Sequence, residues 1–363
     1  MNINLQTNVC SILNIAYPVI QAGMAGGPTT AELVAGVSRA GGLGTLGAAY
    51  MEPEAIRDTI RRIRTLTDRP FGVNLFTADM TDHPARAQEV QQMLDPLREE
   101  LGIAPGRTDL VTPNWFAEQF AVLLEEGVPV ISTAFGVLPP AAMQEAKAAG
   151  RTVMTMVTTV AEAKQAEEAG ADIVVAQGSD AGGHRGTFDV SVHPLGANVG
   201  TFSLVPQVVD CVRIPVVAAG GIMDGRGLAA ALMLGAQGAQ MGTRFLTAAE
   251  SGAHPAYRRA LLESTEEDTV ITTAFSGRPA RGIRNAFIDH VERSGVAPLP
   301  FPTQNTATGD IRKAAAQQND ARYLSLWAGQ ATRLLTDGEA AEAIVARIVQ
   351  EACDRLERHH KIL

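Results

Sequence analysis

A glycine-rich segment that contains a histidine offers the clearest chemistry in the sequence. It reads QGSDAGGHRG over residues 177–186. The adjacent Gly182 and Gly183 allow the backbone to bring the His184 imidazole close to a ligand, and no packing pattern requires a histidine at this position. We therefore predict that His184 is a catalytic residue.

Two further glycine-containing segments have the composition of a phosphate-binding site. They are AGGI at residues 219–222 and QMGTRF at residues 240–245. Gly220, Gly221 and Gly242 allow a phosphate to approach backbone N–H groups closely. Either segment alone is also explained by a simple turn, but the two follow consecutive predicted strands. We therefore predict a phosphate site between them.

Side-chain amides end two other predicted strands, at Asn74 and Gln177. An amide both donates and accepts hydrogen bonds, so it can match a heterocycle with a mixed edge, such as a flavin. A buried group that only caps its own strand explains each amide equally well.

The elements that must position these residues alternate between short apolar segments and helical patterns. Most apolar segments are rich in β-branched residues and apolar on both faces, as in a parallel sheet covered by helices. The predicted strands are Val19–Met24, Gly44–Gly47, Phe71–Phe76, Val128–Phe135, Thr152–Val157, Ile173–Gln177, Pro215–Ala219 and Gly238–Phe245. The predicted helices include Thr30–Ala40, Pro53–Thr65, Pro139–Ala149, Thr159–Ala169, Leu204–Val212 and Gly225–Leu234.

The ends of these helices carry residues that suit them. Thr30 and Thr159 can cap helix N-termini, and a glycine follows the last turn at positions 41, 150, 170 and 235. Eight βα units with short returns predict a closed (β/α)8 TIM barrel of the α/β class, formed by residues 1–363 as one domain. An open doubly wound sheet is the alternative.

Two segments interrupt the βα rhythm. Residues 77–127, between the third and fourth strands, include a polar helical stretch near Ala85–Glu100. Residues 274–330 follow the eighth strand and precede a C-terminal amphipathic helix from about Asp337 to Arg358. Long excursions at the carboxyl ends of barrel strands often form a lid or a substrate wall, although a surface decoration is equally compatible. We predict a helical insertion at 77–127 and a C-terminal lid and helical extension at 274–363.

Composition excludes several classes of function. The chain has 363 residues and a formal net charge of −9, which argues against binding to nucleic acid. Its three cysteines are far apart and in no zinc-ligand spacing, and the His359-His360 pair is interpreted as a solvated helix end, so no metal site is predicted. The N-terminus lacks a signal-peptide pattern and no apolar stretch is long enough to span a membrane. These features predict a cytoplasmic protein.

The chain resembles the bacterial class I nitronate monooxygenases, formerly called 2-nitropropane dioxygenases, which are FMN-containing (β/α)8 barrels. The resemblance covers nearly the whole chain and is carried by IQAGMAGG at residues 20–27, by residues 177–186 and 240–245, and by LWAGQ at residues 326–330. The string QGxxAGGHRG is its most specific signal. Gly23 is a departure, because many relatives have proline there, and it would loosen the loop under the flavin.

The resemblance also implies the roles of individual residues. His184 matches the family's active-site histidine, which lies beside the bound nitronate. It would hold the nitronate oxygens as a hydrogen-bond donor or as an imidazolium, and Arg185 would add to the positive electrostatic field around them. Tyr323 falls near the substrate lid. The residues that match FMN contacts are Asn74, Gln177, Gly182, Gly221, Gln240, Met241, Gly242 and Thr243, with Gly220 and Met24 as neighbours.

The implied reaction is the oxidation of an alkyl nitronate by FMN and O2 through a flavin semiquinone, giving a carbonyl compound and nitrite. Propionate 3-nitronate is the expected substrate and detoxification the expected purpose, with the preformed anion favoured over a neutral nitroalkane. The expected assembly is a monomer or a homodimer. Two alternatives remain. An FMN-dependent enoyl-acyl-carrier-protein reductase would consume NAD(P)H, and a flavin-free phosphosugar-binding or scaffolding barrel would be colourless.

Overall fold

A computed structural model describes residues 5–360 of the chain, except for the side chains of His359 and His360, so the prediction for that pair lies outside the described side chains. Eight parallel strands form the central sheet in the order β1-β9-β8-β6-β5-β4-β3-β2. A three-stranded antiparallel sheet has the order β10-β11-β7. The strands are β1 (Val19–Gln21), β2 (Gly44–Gly47), β3 (Phe71–Phe76), β4 (Val130–Ala134), β5 (Thr152–Val157), β6 (Ile173–Gln177), β7 (Gly183–His184), β8 (Val216–Ala219), β9 (Gly238–Met241), β10 (Thr269–Thr272) and β11 (Ala280–Ile283).

The parallel sheet closes on itself between its first and last strands. The Leu43 N–H donates to the Val19 carbonyl at 2.9 Å, and the Gln21 N–H donates to the Leu43 carbonyl at 2.9 Å. These bonds join β1 to the residues that enter β2, with a parallel bridge between Ile20 and Leu43. The predicted TIM barrel is therefore confirmed, and the open-sheet alternative is wrong.

Helices surround the barrel, and the predicted caps form. The Leu33 N–H donates to Thr30 Oγ1 at 3.0 Å, and Thr159 forms a capping box with Glu162. The predicted helix-ending glycines at 41, 150, 170 and 235 all have positive φ. The helices are α1 (Asn8–Leu13), α2 (Ala31–Arg39), α3 (Pro53–Leu66), α4 (Ala87–Glu100), α5 (Phe116–Glu125), α6 (Pro140–Ala148), α7 (Val160–Glu168), α8 (Thr201–Val209), α9 (Gly225–Met233), α10 (Thr243–Leu246), α11 (Pro255–Glu263), α12 (Ala286–Ser294), α13 (Thr303–Ala307), α14 (Gly309–Gln317) and α15 (Ala341–His360).

The C-terminal helix completes the ring of barrel helices. The helix that directly follows β9 is α10, which has only four residues. Helix α15 packs instead against α9 and α2, and Ile344, Val345 and Ile348 are buried in the same apolar cluster as residues of β6, β8 and β9. The end of the chain therefore returns to cover the barrel.

The insertion and the C-terminal extension pack together. Residues of α4, α12 and α14 share one apolar cluster. The guanidinium of Arg98 on α4 is almost fully buried and donates to Asp310 on α14 at 2.8 Å and to Asp95 at 2.9 Å. The two excursions therefore support each other. Within residues 5–360, no helix is long and apolar enough to cross a membrane.

Several strands are shorter than predicted. Strand β4 ends at Ala134 because Phe135 has φ of 76°, which no strand residue adopts. Strand β1 ends at Gln21, and β9 ends at Met241 because the residues after Gly242 form helix α10. The small sheet was not predicted. It places His184 on strand β7 rather than on a free loop, paired with Ala280 of β11.

Candidate active site

A cavity of about 540 Å³ lies at the carboxyl ends of the barrel strands. It brings together the predicted catalytic histidine and all the predicted cofactor-contact residues. Its walls include the following predicted residues: Met24, Asn74, Gln177, Gly182, His184, Gly220, Gly221, Gln240, Met241, Gly242 and Thr243. Carboxyl ends of parallel barrel strands converge at one mouth, which explains why residues so far apart in sequence meet there.

The glycine-containing edge of the cavity has the backbone that a phosphate site needs. Gly220 has φ of 114° and Gly221 has φ of 71°, which favour glycine. A Cβ at Gly220 would also lie 2.6 Å from Thr201 Oγ1. At Gly242, which precedes α10, the nearest atom to a built Cβ is 3.6 Å away, an ordinary van der Waals distance, so a Cβ would fit beside this residue without a clash. An anion can approach backbone N–H groups at such an edge.

The amide side chains differ in how much of their hydrogen-bonding capacity is free. Gln240 is 7% exposed, and its amide bonds to no side chain or backbone group in the described part of the chain. Asn74 Nδ2 donates to Ser132 Oγ at 2.7 Å, and its carbonyl oxygen remains free among residues 5–360. A buried amide without a partner is costly unless a ligand binds it. These residues fit the polar edge of a flavin such as FMN.

Gln177 bonds to the segment that carries the histidine as well as lining the cavity. Its Nε2 donates to the His184 carbonyl at 3.0 Å, and its Oε1 accepts the Gly186 N–H at 2.8 Å. The amide lines the cavity but also spans the histidine-bearing segment. Gln177 therefore fixes the backbone on both sides of Arg185.

Two glycines of the site are required by close packing. A Cβ at Gly182 would lie 2.4 Å from the Gly329 backbone nitrogen, because residues 328–329 pack directly against it. The Gln330 N–H donates to the Asp180 carbonyl at 3.0 Å and holds the same contact. A Cβ at Gly23 would lie 2.7 Å from Asn74 Cβ. Gly23 therefore permits a close contact between its loop and Asn74.

The His184 imidazole sits among aromatic rings and is hydrogen-bonded on one side. Its Nε2 is 2.8 Å from Ser276 Oγ. Ring centroids of Phe76, Phe135 and Trp327 lie 6.3, 5.7 and 5.4 Å away. Removal from water, reinforced by two nearby guanidinium groups, lowers the pKa of His184 to about 3. This pKa favours a neutral imidazole near pH 7 in the ligand-free site, and the donor or imidazolium role beside a bound nitronate stays a prediction.

Three polar residues of this region were missed by the sequence reasoning. The Tyr50 hydroxyl is buried without a partner among the described residues, and burial raises its pKa to about 12. The Arg312 guanidinium lines the cavity and donates through Nη2 to the Asn305 carbonyl at 2.6 Å. The Arg278 guanidinium lies 4.0 Å from the Phe135 ring centroid. Burial lowers the pKa of both arginines, to about 10 for Arg278, which therefore stays charged near pH 7.

Two predicted residues lie outside the cavity. Arg185 is fully buried and donates at 2.8 Å to the carbonyls of both Gln177 and Gly178, so it fixes the loop instead of facing a ligand. The Tyr323 hydroxyl donates to Glu100 at 2.6 Å, and this residue lines a separate cavity beside α12. Neither residue lines the cavity, so the positive field predicted for Arg185 and the lid position predicted for Tyr323 would act without direct contact with a ligand there. Within the described residues, no cluster of three His, Cys, Asp or Glu could hold a metal ion.

Comparison with known families agrees with this site. The sequence profile of the nitronate monooxygenases matches residues 6–351. The chain belongs to the nitronate monooxygenase family. A probable nitronate monooxygenase of Staphylococcus saprophyticus is 43% identical over 355 residues, which are 98% of this chain and 99% of the relative. One from Staphylococcus haemolyticus is 44% identical over 93% of this chain and 95% of its own length.

Solved structures give the same result. A nitroalkane oxidase from Streptomyces ansochromogenes superposes with a TM-score of 0.90 at 38% identity, over 97% of this chain and 99% of its own. FabK from Thermotoga maritima has a TM-score of 0.78 at 32% identity, over 99% of each chain. The nitronate monooxygenase family consists of oxidoreductases that are flavoproteins. The predicted family, fold and enzyme class are therefore confirmed.

Proposed function

We propose that this protein is an FMN-dependent nitronate monooxygenase that oxidises alkyl nitronates, propionate 3-nitronate among them, with O2 to a carbonyl compound and nitrite. The observation that carries the proposal is one cavity that combines a glycine-rich edge, a buried Gln240 amide without a partner among the described residues, and the partly buried guanidinium of Arg312. The first two suit a flavin nucleotide, and the third suits an anionic substrate.

The cofactor is assigned to the side of the cavity formed by β8 and β9. The backbone at Gly220–Gly221 and Gly242–Thr243 would hold the phosphate, while Gln240 and Asn74 would bond the polar edge of the ring. FMN would supply the acceptor for a single electron from the nitronate. The protein binds and orients both partners.

The anion is assigned to the wall of the cavity that the basic residues Arg312 and Lys313 line. Arg312 Nη1 bonds to no group within residues 5–360, and Lys313 beside it also lines the cavity. Arg312 therefore has donors available for a carboxylate or a nitronate oxygen, and the Tyr50 hydroxyl adds a neutral donor. A substrate with an anionic group at each end, such as propionate 3-nitronate, matches this wall better than an uncharged chain.

Aromatic side chains keep water away from the reacting group. Phe76, Phe135 and Trp327 form an apolar surface around the His184 ring. In such surroundings charges interact more strongly than in water, so Arg312, which forms no ion pair with a described carboxylate, can hold an anion in the cavity.

The test compares preformed nitronates with neutral nitroalkanes. Purified protein is mixed with propionate 3-nitronate or ethyl nitronate, and O2 consumption and nitrite release are recorded. We expect both signals with the nitronates and a lower KM for the carboxylated one. Consumption of NAD(P)H with an enoyl thioester, without nitrite release from any nitronate, would replace the proposal with the reductase alternative.

A further inference from the structure

The side chain that fixes the orientation of the His184 ring comes from outside the barrel strands. Ser276 lies in the turn between β10 and β11 and is 1% exposed. Its Oγ is 2.8 Å from His184 Nε2. The turn packs closely against the backbone at Leu299, since a Cβ at Gly277 would lie only 2.1 Å from the Leu299 carbonyl oxygen. The Arg185 N–H also donates to the Pro279 carbonyl at 2.8 Å.

The hydrogen bonds of this serine decide which nitrogen of the imidazole carries the proton. Ser276 Oγ donates to the Arg278 carbonyl at 3.1 Å and accepts the Arg278 N–H at 3.2 Å. A hydroxyl has one proton and two acceptor positions, so with its proton on that carbonyl it can only accept from His184. We propose that Ser276 is a positioning residue that holds the proton of His184 on Nε2 and leaves Nδ1 as the proton-accepting nitrogen.

The surroundings of the ring agree with this assignment. No group in residues 5–360 bonds to Nδ1, although His184 lines the cavity. The charged and titratable groups that act on the ring are Arg278 from the β10–β11 turn and Arg312 from α14, with Tyr50 after β2 near both arginines. The other neighbours are three aromatic rings: Phe76 on β3, Phe135 directly after β4, and Trp327 in the LWAGQ segment. The two guanidinium groups and these three aromatic rings offer the imidazole no hydrogen-bond acceptor.

The assigned tautomer limits how a substrate can be oriented beside His184, and this limit rests on the proposed function. A neutral imidazole with a free Nδ1 accepts a hydrogen bond and repels an anionic oxygen placed directly against it. The nitronate oxygens therefore face away from Nδ1, and the group facing Nδ1 carries a hydrogen. Ser276 sets this arrangement without touching the substrate.

The test reads the tautomer directly by ¹⁵N NMR on flavin-loaded protein with labelled histidine, in the absence of substrate. The chain has 7 histidines, so the His184 signals are assigned by their loss in His184→Asn. We expect a protonated Nε2 and an unprotonated Nδ1 in the unaltered protein. A proton on Nδ1 would overturn the proposal. The spectrum is independent of turnover, so a protein that fails to oxidise nitronates would still give an answer.

The serine is then varied in two ways. Ser276→Ala removes the acceptor, and we expect a mixture of both tautomers with kcat lower by about tenfold, while flavin content stays the same. Ser276→Thr keeps the hydroxyl and should restore the single tautomer and most of the turnover. A Ser276→Ala protein whose His184 spectrum equals that of the unaltered protein would remove Ser276 from this role.

Discussion

Substitution of Gly242 by aspartate isolates the electrostatic part of cofactor binding. Gly242 has φ of −103°, which any residue can adopt, and a built Cβ comes no closer than 3.6 Å to its surroundings. An aspartate therefore fits at this position without strain in the backbone. Its carboxylate would point into the space that we assign to the FMN phosphate.

The expected size of the effect follows from Coulomb's law. Two unit charges about 5 Å apart repel by about 3 kcal/mol at an effective dielectric constant of about 20. The phosphate of FMN carries about two charges near neutral pH, so the repulsion is about 6 kcal/mol. Since about 1.4 kcal/mol is a factor of ten, FMN affinity should fall roughly ten-thousand-fold.

The assay measures flavin absorbance per protein after purification, followed by titration of the apoprotein with FMN. Gly242→Asn is the matched control, because asparagine has nearly the size of aspartate and no charge. We expect Gly242→Asp to purify without flavin and Gly242→Asn to keep most of it. Full flavin content in Gly242→Asp would refute the phosphate assignment, and equal losses in the two variants would show that size rather than charge is responsible.

Other substitutions test other parts of the site. In His184→Asn we expect kcat for nitronates to fall at least about 100-fold while flavin content is retained, and normal turnover would remove His184 from the mechanism. In Arg312→Gln, KM for propionate 3-nitronate should rise about tenfold and KM for ethyl nitronate should stay within about twofold; equal rises for both substrates would contradict the carboxylate assignment. Thr159→Ala breaks a cap in which the Glu162 N–H donates to Thr159 Oγ1 at 3.1 Å. Its free energy of unfolding in urea should fall by about 1 kcal/mol without change in flavin binding, and an unchanged value would show that the cap is not stabilising. The pKa of His184 falls from 6.5 to about 3 on folding, so the unfolded chain binds more protons between these values and stability is lost as pH falls through this window. His184→Asn should flatten that part of the stability profile, and an unchanged profile would contradict the assignment.

The barrel and the composition of its mouth are predictable because they depend on local patterns. Apolar β-branched segments, the Thr30 and Thr159 caps and the helix-ending glycines each act within a few residues, and all reappear in the structure. Once a barrel is assumed, the residues after each strand must meet at one end. Asn74, Gln240 and Gly242 therefore fall in one cavity although up to 168 positions separate them.

The charge state and hydrogen bonds of the site depend on contacts that no local pattern contains. His184 is neutral because segments far away in sequence bury its ring, and Ser276 reaches it only through pairing of β7 with β11. Arg312 enters the cavity because the ion pair of Arg98 with Asp310 ties α14 to the insertion. In the sequence, a basic residue in a segment rich in glycine and proline does not indicate that its side chain enters a cavity.

The visible absorption spectrum of the purified protein, recorded without oxygen before and after addition of propionate 3-nitronate, tests the proposed function most directly. We expect an oxidised flavin spectrum that changes on addition to the spectrum of an anionic flavin semiquinone, because one electron leaves the nitronate. A flavin that does not respond to the nitronate and is bleached by NADH would contradict the proposed reaction. A protein that binds no flavin even after incubation with FMN would contradict the assignment of the cavity itself.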